Sequence, residues 1–61
     1  MRTRIEVTFS SGKFVAFDHV QNDTIKTDKN ELVFKHGPKG DSAHIFIHKV
    51  DFIEFMERED N

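Results

Sequence analysis

The chain has 61 residues, no cysteine, seven phenylalanines and a formal net charge of −2. A chain of this length is one domain, and it buries only about 60% of the surface that its unfolded form exposes, so it needs an efficient core or self-association. The missing thiols exclude disulfides, thiolate metal sites and cysteine nucleophiles, and the slight acidity argues against a protein whose main task is to grip phosphates.

Met1-Arg2-Thr3-Arg4 leads straight into alternating sequence with no signal-peptide core. Ile5, Val7 and Phe9 alternate with Arg4, Glu6 and Thr8, which predicts a half-buried strand over Thr3 to Phe9. Ser10-Ser11-Gly12 then separates it from a second extended run, Lys13 to Phe17. A three-residue loop with Gly12 in the left-handed region sets Phe9 opposite Lys13, Val7 opposite Val15 and Ile5 opposite Phe17. A two-residue loop would place Ile5 against Asp18, a poorer pairing.

Asp18 to Asp23 is turn-rich, with Val20 as its one apolar anchor. Thr24 to Thr27 reads as a short β-branched strand, Asp28 to Asn30 as a turn, and Glu31 to Lys35 as a further strand. His36 to Asp41 is a loop containing Pro38 and two glycines. Ala43 to Lys49 alternates again, with Ile45 and Ile47 on one face and His44, Phe46 and His48 on the other. The last run, Val50 to Glu57, is ambiguous. Asp51 and Glu54 have capping-box spacing and Phe52, Phe55 and Met56 fit a helix face, whereas the shortness of the run and its Phe and Ile content favour a strand.

The expected fold is all-β: a single domain of five to six short strands over residues 1–61. It forms a small antiparallel barrel or a strongly bent sheet of SH3-like size, and residues 58–61 make a frayed acidic tail. Bulky apolar groups on both faces of several strands favour closure or pairing with a second copy. No apolar run spans a bilayer, so the expected location is the cytoplasm.

The segments "RIEVTFSSGKFVAFDHV", "NELVFKHG" and "AHIFIHKVDFIEF" resemble a loose group of short uncharacterised β-rich proteins of Gram-positive bacteria and their phages. The likeness lies in a strand, a Gly turn, a strand ending at Phe17-Asp18-His19-Val20, and an aliphatic strand running into Val50-Asp51-Phe52-Ile53. It implies an all-β fold and no particular activity. A phage setting favours a small protein that binds another macromolecule.

His44 and His48 could share a metal ion only on a helix, because four residues of strand span roughly 13 Å. Their alternation with isoleucines marks a strand, so no metal and no cofactor is expected. Lys13 to Phe17 resembles the aromatic strand of single-strand RNA-binding sheets, but Phe14 and Ala16 fall on the face opposite Val15 and Phe17, so a core role is expected instead. Ser42, His44 and Asp41 stand close in sequence, which is no evidence for a catalytic triad, and the chain is too small to shelter one easily. The expectation is a non-catalytic protein-binding domain, with self-association included. Its contact residues are His44, Phe46, His48, Glu54 and Glu57, and the acidic C-terminal segment steers a basic partner. The alternative is a nucleic-acid-binding module that uses Lys35, Lys39 and Lys49.

Overall fold

A computed structural model describes residues 2–58, with the side chains of Arg2 and Arg58 left aside. The chain forms β1 (Arg2–Phe9), β2 (Phe14–Val20), β3 (Lys26–Asp28), β4 (Glu31–His36), β5 (Asp41–Phe46) and β6 (Val50–Arg58), with short 3-10 turns at Asn22–Thr24 and Ile47–Lys49. The expected acidic tail, beyond Arg58, lies outside the described residues.

Two three-stranded antiparallel sheets result: a first sheet ordered β2-β1-β6 and a second ordered β3-β4-β5. The first hairpin has the expected register, with Ile5 opposite Phe17 and Val7 opposite Val15. Its loop is closed by Gly12 N–H donating to the Phe9 carbonyl at 2.9 Å and Phe9 N–H donating to the Lys13 carbonyl at 2.8 Å. Gly12 takes φ 93, a backbone region that suits glycine.

The ladder of β1 and β2 shifts between the pairs Thr3–Val20 and Ile5–Phe17, leaving Asp18 and His19 opposite Arg4. This is a β-bulge, and His19 occupies its left-handed position with φ 55. Arg4 clamps it, donating to Glu6 at 2.8 Å and to Asp18 at 2.7 Å. Those two bonds, Glu6 first, raise the guanidinium above its already high ordinary pKa, so it stays charged. Past the bulge the chain crosses to the second sheet: Gly37 N–H donates to the Asp18 carbonyl at 3.1 Å and Gln21 N–H to the Lys35 carbonyl at 2.9 Å.

The core lies between the sheets. Ile5, Val7, Val20, Leu32, Phe34, Ala43 and Ile45 are buried, flanked by half-buried Phe9, Phe17, Ile25, Val50 and Ile53.

Several expectations need correction. The barrel does not close: among the described residues the strands form two separate three-stranded sheets with no ladder between them, the chain passing from β5 to β6 through the 3-10 turn at Ile47–Lys49. The last segment, whose Phe and Ile content favours a strand, is a nine-residue strand paired along β1, and only the helical alternative falls. Tertiary pairing outweighs its local helical pattern. The strand expected over Ala43 to Lys49 stops at Phe46, and Ile47 is 37% exposed, not in the core. The strand expected from Thr24 begins at Lys26, since Asn22–Thr24 is a 3-10 turn. Phe14, for which a core role is expected, is exposed on the outer face of the first sheet, opposite in direction to Phe17.

Candidate functional site

The expected contact residues fall on three parts of the surface. His44 and Phe46 lie on the outer face of the second sheet, where β4 and β5 set Val33 opposite His44 and Glu31 opposite Phe46. Phe46 is 52% exposed, so this face is open. His44 Nδ1 contacts the Glu31 carboxylate, a surface pair of small energetic weight. His48 is not on the strand. It stands in the 3-10 turn, where its ring lies 6.1 Å from that of Phe46. Glu54 and Glu57 are on β6, in the other sheet.

The three lysines of the nucleic-acid alternative do not share one surface. Lys35 is at the C-terminal end of β4 and Lys39 is in the turn that follows, whereas Lys49 lies beyond the opposite end of the second sheet, past Phe46. Among the described residues no three metal-ligating side chains come together, and no helix is long and apolar enough to cross a membrane.

Sequence reading did not single out the outer edge of β6. Phe9 N–H points toward β2, since it donates to Lys13. Alternation along β1 then turns the backbone groups of Ile5 and Val7 toward β2, and those of Thr8, Glu6 and Arg4 toward β6. Their β6 partners, Phe52, Glu54 and Met56, spend their backbone groups on β1. The backbone groups of Ile53, Phe55 and Glu57 therefore face outward along the edge, while Asp51 sits in the irregularity where the ladder shifts between Phe52 and Val50. Among the described residues no strand pairs with that edge.

The side chains beside it are mixed. Asp51, Glu54 and Glu57 are exposed carboxylates, and Phe52 and Phe55 are each 53% exposed. Phe52 sits on the outer face, where it and Phe14 flank Thr8 from either side. Phe55 sits on the inner face, opposite Ile5, and borders a shallow depression with Thr3, Asn22 and Ile25.

A cavity of about 560 Å³ opens at the other end of the first sheet, between the β1–β2 loop and the 3-10 turn. Phe9 and Val15 form its apolar wall, and Lys13, His48 and Lys49 line it with the loop serines. Neither a protein-family model, nor a curated protein, nor a solved structure matches the chain.

Proposed function

We propose that the chain is a small non-catalytic protein-binding domain that takes an extended segment of its partner along the outer edge of β6. The observation that carries this reading is the edge itself: outward backbone groups at Ile53, Phe55 and Glu57, beside exposed phenylalanines. Strand addition supplies affinity through the main chain and specificity through alternate side chains. The carboxylates of Asp51, Glu54 and Glu57 favour a partner strand that carries lysine or arginine between apolar residues. The open face of His44 and Phe46, with His48 beside it, offers a second contact surface.

Self-association through the same edge is less favoured. An antiparallel pair of β6 strands centred on Glu54 sets Ile53 against Phe55, but it also sets Glu54 against Glu54 and Asp51 against Glu57 of the other copy, and like charges directly opposite are destabilising. The resemblance to short β-rich proteins of Gram-positive bacteria and their phages supports a chain that modulates a host protein in the cytoplasm. Nucleic-acid binding draws less support, since Lys49 is separated from Lys35 and Lys39 by the length of the second sheet.

Affinity capture on the immobilised protein tests the reading. A specific protein retained by the wild type is expected to be lost with the Glu54→Lys/Glu57→Lys and Phe55→Ser variants, while circular dichroism shows an intact fold. Retention of every partner by both variants would overturn the choice of edge. Binding to nucleic-acid probes that falls steeply with salt, with no protein partner, would overturn the class of function.

A further inference from the structure

The inner face of the first sheet outruns the second sheet. Ile5 and Val7 are fully covered, yet Val15, directly opposite Val7, is 37% exposed, and Phe9 is only half-buried. The reason is local. β5 ends at Phe46, and Ile47 in the 3-10 turn is itself 37% exposed, so the end of the hairpin at Val15 stays partly uncovered. The cavity of about 560 Å³ is the uncovered end of the core. Its size lies within the roughly 300–1,000 Å³ of small-molecule pockets.

Its rim is cationic in a chain whose net charge is negative. None of the lining residues is acidic, and Lys13, Lys49 and His48 all border it. Consecutive residues of the hairpin fix both lysines: Phe9 N–H donates to the Lys13 carbonyl at 2.8 Å, and Ser10 N–H donates to the Lys49 carbonyl at 2.9 Å. The backbones of the two lysines are thus pinned on either side of the end of β1, and both residues line the opening. His48, set against the Phe46 ring, adds a ring N–H donor that is present in either charge state.

We propose that this open end binds a small apolar carboxylate, with the hydrocarbon part against Phe9 and Val15 and the carboxylate between Lys13 and Lys49. The site is separate from the β6 edge and does not depend on the protein-binding reading.

Backbone amide NMR titration tests it with three probes of one chain length: octanoate, octanol and octylammonium. Octanoate is expected to give saturable shifts centred on Ser10, Ser11, Lys13, Val15, His48 and Lys49, with octanol and octylammonium weaker by about tenfold or more. Lys13→Gln/Lys49→Gln, both at exposed positions, is expected to lower octanoate affinity about tenfold, while the control pair Lys35→Gln/Lys39→Gln leaves it unchanged. Any one of four results would overturn the proposal: no saturable shifts at millimolar octanoate, equal binding of the three probes, shifts centred on Phe52 and Phe55, or full affinity in the Lys13→Gln/Lys49→Gln variant.

Discussion

Phe17 meets Phe34 edge to face, with ring centroids 5.1 Å apart and planes at 81°. This contact joins the two sheets, since Phe17 belongs to β2 and Phe34 to β4. His36 packs on the same Phe17 ring at 4.9 Å, so the aromatic cluster closes one end of the core. Phe34 has no exposed surface. Phe34→Ala is expected to cost about 3–5 kcal/mol. Total stability for a chain of this size is on the order of 3–9 kcal/mol, so the loss is a large fraction of the whole and the variant should unfold at a much lower urea concentration. Phe17→Leu should cost only about 1–2 kcal/mol, because that side chain is half-buried and leucine keeps much of its volume. Urea titration followed by circular dichroism measures both, and equal losses would contradict the different burial of the two rings.

Thr3 points a polar atom into an apolar layer. It is 5% exposed, and among the described residues its buried Oγ1 has no hydrogen-bond partner. It lies on the inner face of β1 with Ile5 and Val7, where the only need is for volume. Thr3→Val keeps the shape and removes the unmet hydroxyl, so a gain of about 1 kcal/mol is expected. Denaturant unfolding reads it directly. A lower midpoint for Thr3→Val would show that the hydroxyl has a partner.

Gly12 separates backbone strain from steric fit. Its φ of 93 lies where L-residues are disfavoured, yet a Cβ built there meets nothing within 4 Å. Gly12→Ala is therefore expected to destabilise by about 1–2 kcal/mol through backbone conformation alone. Gly12→Asn should lose less, because asparagine tolerates positive φ better. The order glycine, asparagine, alanine in thermal unfolding is the check. An alanine variant as stable as the parent would mean that the loop relaxes to another turn at no cost.

The first hairpin was legible because period-two alternation and a glycine loop constrain each other: one register puts Val7 opposite Val15 and Ile5 opposite Phe17. For β4 the sequence showed a strand without saying which face is buried; the structure buries Leu32 and Phe34. The bulge at Asp18 and His19 was not, because its signal is a histidine at positive φ, a residue type that does not announce one. The break after Phe46 was hidden by continued alternation through Ile47 and His48. The outcome there turns on tertiary constraints, including the bond from Ile47 N–H to the Asn30 carbonyl at 2.7 Å. The free edge of β6 was out of reach for a similar reason. Which backbone groups point outward depends on the phase of a ladder that runs from the first loop through β1.

That phase gives the last prediction. If Phe9 N–H is committed to β2, then the amides of Phe52, Glu54 and Met56 are inside the ladder with β1, and those of Ile53, Phe55 and Glu57 face solvent. Native-state hydrogen exchange should alternate along β6, with the second set faster by more than about tenfold. A strand-adding partner should then slow Ile53, Phe55 and Glu57 selectively, leaving Phe52, Glu54 and Met56 nearly unchanged, because only the outward groups gain bonds. Glu54→Gln, which removes the charge at the centre of a β6–β6 pair, should bring about concentration-dependent protection of the same outward amides if self-pairing is held off by repulsion. Uniform slow exchange of all six amides in the dilute wild-type protein would show that the edge is already covered, and would remove the basis for strand addition there.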